Sequence, residues 1–171
     1  MVDQFSMDED PFDQPPTKPT ANLFVELVPS SSWGDNLRSR LSRADWDRLR
    51  KQSYASANFR CEICNGVGTA QGYNWPVECH EVWEYDDKNH TQTLVRLISL
   101  CPKCHLVKHI GRAQMDGKFD LALGHLKKVN GWTDEAAKTH VREAFNKWQA
   151  RSRSPWYLNL DALDRYGVKV K

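Results

Sequence analysis

The sequence, 171 residues long, has no long apolar run. Its uninterrupted hydrophobic stretches are a few residues each, far short of the roughly 18 needed to cross a bilayer. Its acidic start, MVDQFSMDED, lacks the hydrophobic region of a secretory signal, so a membrane protein is excluded and a cytoplasmic location is expected. The sequence also lacks the even cysteine set of a disulfide framework. Its five cysteines, Cys61, Cys64, Cys79, Cys101 and Cys104, stand in a chain without an export signal, where thiols stay reduced. No internal repeat exists beyond two matched Cys pairs, and no single charge sign dominates. The net charge is +2, but it is unevenly spread: residues 1–20 carry −4, 21–35 carry −2, 36–60 carry +5, 61–93 carry −5 and 94–171 carry +8. A cationic body surrounds an acidic middle.

With 40% apolar and 27% charged residues, the chain can bury one sizeable core. Residues 1–21 are acidic and rich in proline (Pro11, Pro15, Pro16, Pro19), a composition that cannot offset the entropy of ordering and reads as a disordered tail. Residues 22–58 form an N-terminal segment and a basic helix. The run NLFVELV at 22–28 suits an edge strand or an extended segment lying on the core. From Ser42, a capping residue with Asp45 in the following turn, Trp46, Leu49 and Ser53 share one face of a helix of about four turns.

Residues 59–113 hold both Cys pairs. Between them lie a Gly-rich loop and two strand-like runs, 75–85 and 93–100, which read as an antiparallel hairpin joined by DDKNHTQ. After the second pair, HLVKHIGRA looks helical and should stop near Gly111. Residues 114–171 read as a helical extension packed on this core. One helix spans 119–130 and stops at Gly131; a second follows the cap Thr133, acidic first and basic last, with Ala137, Val141, Phe145 and Trp148 in its stripe. Ser154-Pro155 ends it, and WYLNL with DALDRYG closes the chain. Most of the seven tryptophans are expected to anchor the core.

CEIC at 61–64 and CPKC at 101–104 are separated by 36 residues. A Cys-x-x-Cys pair in a tight turn directs two thiolates at one ion, and two pairs complete the tetrahedral sulfur shell that suits zinc. The order knuckle, hairpin, second pair, helix suits a treble clef. Such a zinc ion has no open position, so it explains folding rather than catalysis. His105 and His109 are four apart on the helix after Cys104, and His80 lies on the first hairpin strand. These three imidazoles could hold a second divalent ion and leave positions open for water and phosphate.

From Arg60 to Arg112, RCEIC…PVECHEVW…LISLCPKCHLVKHIGR resembles the zinc-stapled HNH endonuclease family. The resemblance covers about a third of the chain. It implies an α+β fold: a treble-clef zinc finger carrying a ββα-metal (HNH) core, flanked by α-helices. Cys61, Cys64, Cys101 and Cys104 would hold structural Zn²⁺, and His80, His105 and His109 would hold a catalytic Mg²⁺ or another divalent ion. In many members a Glu stands two before a His-His pair, and Glu78-Cys79-His80-Glu81-Val82 fits that frame. His80 then takes the place of the first histidine, a ligand, and Glu81 that of the general base. A frame shifted by one would make His80 the base and Cys79 the ligand. The family's middle Asn usually opens the second strand, where this chain has Leu94, Val95 and Arg96; Asn89 lies in the hairpin loop.

The expected function is metal-dependent hydrolysis of phosphodiester bonds, with DNA the usual substrate of the family. The ion would stabilise charge on the leaving oxygen while Glu81 or His80 takes a proton from water. Arg43, Arg50, Lys51, Lys103, Lys108 and Arg112 are the candidates for gripping a nucleic-acid backbone. Glu84, Asp86 and Asp87 read as a solvated turn. The competing expectation is a non-catalytic treble-clef module that binds nucleic acid or a protein partner. Double-strand cutting by a one-site enzyme would favour a homodimer.

Overall fold

The computed structural model describes residues 22–170, so the acidic proline-rich tail lies outside the described residues. No helix among the described residues is long and apolar enough to cross a membrane. The architecture is mixed α+β, built on one hairpin with a core on each face. Strand β1, Glu78–Asp86, pairs antiparallel with β2, Thr91–Leu100, and the register sets His80 opposite Ile98 and Glu81 opposite Leu97. Both strands differ from expectation. β1 begins three residues later, and the turn is shorter because Asp86 Oδ1 accepts from the backbone N–H groups of Lys88 and Asn89, each at 3.0 Å. This side-chain turn frees Thr91 and Gln92 to join the ladder.

Successive strand residues face opposite sides, so the hairpin sorts its side chains into two cores. On one face Val82, Ile98 and Leu100 pack with Leu23, Val107, Ile110, Leu126 and Val141. On the other, Cys79, Trp83, Leu94 and Leu97 pack with Leu37, Leu41, Leu49 and Leu163. The second core is closed by helices α1, Leu37–Arg40, and α2, Arg43–Ser56. Ser42 caps α2 as its sequence suggests, accepting from Asp45 N at 3.0 Å, a bond of about 1 kcal/mol.

The first core is covered by α3, Pro102–Lys108; α4, Ile110–Met115; α5, Phe119–Asn130; and α6, Asp134–Arg151. The expected single helix stopping near Gly111 is instead two helices that break at His109. Gly111 lies inside α4, where a Cβ would meet Leu27 and Phe145 only at ordinary contact distance; the turn comes later, at Gly117 with φ +69°. α5 and α6 stop and start where the sequence places them, at Gly131 (φ 66°) and at the Thr133 cap.

Residues 22–28 are extended but join no sheet. The side-chain amide of Asn130 satisfies both backbone groups of Leu23 (N to Oδ1 2.8 Å, Nδ2 to O 2.7 Å), and His140 Nε2 accepts from Val25 N at 2.9 Å. The C-terminal region is not purely helical. Strand β3, Tyr157–Asn159, adds parallel to β2, and a 3₁₀ turn, Asp161–Tyr166, puts Leu163 into the second core. The tryptophans meet the core from its edge: none is fully buried, Trp46, Trp83 and Trp132 pack against the two cores, and Trp33 and Trp75 are exposed. Their indole N–H groups favour positions at the core's edge, as where Trp148 Nε1 donates to Val28 O at 3.1 Å.

Candidate functional site

Two clusters of metal-ligand side chains converge near the start of α3. The first is the buried set Cys61, Cys64, Cys101 and Cys104, whose sulfurs all lie within 4.8 Å of one another. The knuckle is built by local backbone bonds: Cys61 N donates to Gly66 O at 3.0 Å, and Asn65 N to Cys61 O at 2.9 Å, with Asn65 at φ 60°. Gly66 follows Cys64 closely enough that a Cβ there would sit 3.2 Å from Cys64 Sγ. Cys101 caps α3, accepting from Cys104 N at 3.5 Å, with Pro102 at the first helical position. Cys64 Sγ and Cys101 Sγ are 3.6 Å apart, close to the about 3.8 Å implied by tetrahedral zinc–sulfur bonds. Donor type, number, burial and spacing therefore fit a structural metal such as zinc. Hydrogen bonds from Cys104, Cys61 and Cys64 hold the Cys101 thiol well below its ordinary pKa. Four thiolates at these separations repel each other unless a divalent charge lies between them.

His125 on α5 adds to this set, its Nε2 lying 3.2 Å from Cys104 Sγ. It is suited to donating a hydrogen bond to a metal-bound sulfur, and no spacing in the sequence announces it.

The second cluster is His80, His105 and His109, each of which offers a nitrogen within 4.8 Å of the others. β1 carries His80, α3 carries His105, and His109 is the junction residue between α3 and α4. The break leaves His109 over His105: their ring centroids are 4.6 Å apart and their Nε2 atoms 3.1 Å. His80 is buried, whereas His109 presents an edge to solvent, giving the cluster one open side. Burial lowers the pKa of His80, and the protein around His109, with the other two imidazoles, pushes that residue down to about 3. Neutral rings are the form that binds a metal ion.

Two carboxylates support the rings. Glu78, two residues before His80 and thus on the same strand face, meets His105 Nδ1 at 2.5 Å and holds that ring with Nε2 toward the cluster. This contact holds the Glu78 carboxyl below its ordinary pKa. Glu26, from the extended segment, places Oε2 at 3.7 Å from His80 Nε2 while Oε1 accepts from Lys108 Nζ at 2.7 Å. Burial opposes charge on Glu26, but His80 and Lys108 outweigh it and keep the carboxyl below its ordinary range. Period-two alternation could have revealed Glu78. No sequence signal links Glu26 to His80.

Glu81 is not brought to the histidines. It faces the second core, where its Oε1 accepts from Leu37 N at 2.9 Å, and burial raises its pKa. Cys79 shares that face and its thiol is pushed up to about 12 by burial, which makes it a poor ligand for the histidine side. Asn89 lies at the hairpin tip, bonding Asp86 Oδ2 through its side chain at 2.6 Å.

The six basic residues are not all at the surface. Arg43 and Lys51 are exposed, Arg50 pairs with Asp47 at 2.8 Å, and Arg112 pairs with Asp116 at 2.9 Å. Lys103 is half-buried. Lys108 is only 5% exposed and faces Glu26, so its expected place on a phosphate-gripping surface is corrected: its charge is used inside the protein. No protein-family model matches the chain, and neither a curated protein nor a solved structure does.

Proposed function

We propose that the protein is a metal-dependent endonuclease of the HNH type, hydrolysing phosphodiester bonds in nucleic acid, with DNA the first substrate to test. The observation that carries this reading is the open cluster of three imidazoles beside a saturated four-cysteine knuckle. A module folded by zinc alone needs the cysteines but has no use for His80, His105 and His109 directed at one point.

In this reading His80, His105 and His109 hold a divalent ion, and Glu78 fixes the tautomer and direction of His105. When bound, the ion supplies Lewis-acid stabilisation of the phosphate and the leaving oxygen. The exposed side of His109 admits phosphate and water. Glu26 keeps Oε2 toward the site and is suited to accept a hydrogen bond from water there, with Lys108 fixing its other oxygen. Glu81 holds the entry to α1.

A second reading, a treble-clef module that binds nucleic acid without cutting it, is favoured by one observation: the carboxylate expected to activate water is engaged with Leu37 N. The readings separate on incubation of plasmid, single-stranded DNA and RNA with zinc-loaded protein and Mg²⁺, Mn²⁺ or Ni²⁺. The nuclease reading expects cleavage that needs the added ion, is lost in His80→Ala and persists in Glu81→Gln. Absence of cutting on every substrate, by protein that binds them, would leave the binding module.

A further inference from the structure

The loop between the knuckle and β1 carries an aromatic pair that neither metal cluster uses. Trp75 is 44% exposed, and Tyr73 lies beside it with ring centroids 5.7 Å apart at a tilt of 58°. An exposed tryptophan on a loop is ordinarily free to turn, but this one is fixed at three points. Its indole N–H donates to Glu78 Oε1 at 3.0 Å, and the other oxygen of Glu78 holds His105. The chain on either side of it is clamped by Gly68, whose N–H donates to Pro76 O at 2.6 Å and whose carbonyl accepts from Tyr73 N at 3.0 Å. A Cβ on Gly68 would lie 2.1 Å from Trp75 O and 2.8 Å from Pro102 Cδ, so only glycine lets the loop close against the start of α3.

The tryptophan is thus one carboxylate away from a histidine of the open cluster, in a set orientation and with ring surface facing solvent. The same loop is tied to α3 by Gln71, whose Oε1 accepts from Lys103 N at 3.3 Å. The backbone of Lys103 is thereby joined to the loop of the aromatic pair, and its ammonium has no acidic partner among the described residues. A fixed aromatic face on a loop joined to an unpaired lysine, one carboxylate from the histidine cluster, suits a strand whose bases are unpaired: the backbone follows the charge and a base lies on the ring.

We infer that Trp75, with Tyr73, is a stacking platform for an unpaired nucleobase next to the phosphate held at the histidine cluster, and that the preferred substrate is single-stranded or locally opened nucleic acid. The inference rests on the nucleic-acid reading above, but its test needs no cleavage.

The test is fluorescence anisotropy of a labelled single-stranded DNA oligonucleotide, its abasic counterpart and its duplex, with zinc-loaded protein in Ca²⁺. Trp75→Ala should weaken binding of the ordinary strand by about tenfold or more, the usual weight of one base–aromatic stack. Binding of the abasic strand should be the same for wild type and Trp75→Ala, and wild type should prefer the single strand to the duplex. Trp75→Phe removes the hydrogen bond to Glu78 but keeps a π face, so it should stay within about threefold of wild type. The inference is overturned if Trp75→Ala binds the ordinary strand like wild type, if Trp75→Phe is as weak as Trp75→Ala, or if wild type binds no strand. Trp75-dependent binding without cutting under any ion would overturn the nuclease reading and leave the platform standing. Cutting that depends on His80 and is indifferent to Trp75 would do the reverse.

Discussion

The two metal-ligand clusters share α3 and differ in nearly everything else. The cysteine set is buried, built from tight turns and complete in its four donors. The histidine set draws on a strand, a helix and a junction, has one solvent-facing member, and depends on carboxylates from elsewhere in the chain. A closed shell that local sequence can assemble suits folding. An open shell that requires the finished fold suits a ligand that enters and leaves. Cys104 and His105 are neighbours on α3, with Cys101 at its cap, so a metal held at the knuckle would also fix the element that carries His105.

The largest expected effect falls on the closed cluster. Removing zinc with a strong chelator, or replacing Cys104 with Ser, should abolish the cooperative thermal transition, because a structural zinc contributes on the order of 10 kcal/mol to a small fold. A calorimetric scan with and without zinc checks this. A melt unchanged by zinc removal would mean that the cores suffice and the cysteines are ordinary buried thiols.

Effects on the open cluster should spare the fold. With the knuckle loaded, His80→Ala should weaken binding of a second divalent ion by about a hundredfold or more, and Glu78→Gln by about 10- to 100-fold, the usual range for a group that orients a ligand. Isothermal titration calorimetry with Mn²⁺ reads both. Equal affinities in all three proteins would dissolve the distinction between the clusters.

Glu81 sharpens the comparison from the opposite face of the strand. Glu81→Ala leaves Leu37 N without its acceptor and should cost about 1–3 kcal/mol of stability, while leaving affinity for the second ion unchanged. Urea melts and the same titration give the two numbers. A loss of ion affinity would return Glu81 to the site.

The smallest effect is one of acidity. His80 and His109 are held below the ordinary imidazole value of 6.5 in the fold, so the unfolded chain binds more protons below that pH. Stability from these groups is full above 6.5 and declines as pH falls below it. Zinc-loaded protein without a second ion should therefore melt a few degrees lower near pH 5.5 than near pH 7.5, and His109→Gln should narrow that gap.

How far the sequence reveals these features follows from the range of each interaction. The cysteine set is legible because each pair is a local turn with a fixed spacing. The three histidines are legible from a helical spacing of four and a hairpin, even though His109 proves to be the point where the helix breaks. Glu81 was set beside His80 by a linear motif, but adjacent strand residues face opposite sides, and the contact to Leu37 bridges 44 residues. Lys108 looked like one surface cation among several until the extended segment brought Glu26 to it across 82 positions. That segment has no ladder partner to predict: it is held by Asn130 and His140, side chains more than a hundred positions away. Gly111 reads as a stop because glycine often ends a helix, whereas the left-handed turn that ends α4 falls at Gly117.

On this reading one chain carries a closed sulfur site and a separate open imidazole site. Cobalt titration of metal-free wild type and His80→Ala, followed by absorbance and metal analysis, tests it most directly. Two ions per wild-type chain are expected, one with intense sulfur-to-cobalt charge-transfer bands and one without, with loss of the second alone in His80→Ala. A single sulfur-bound ion in both proteins at saturating cobalt would contradict it.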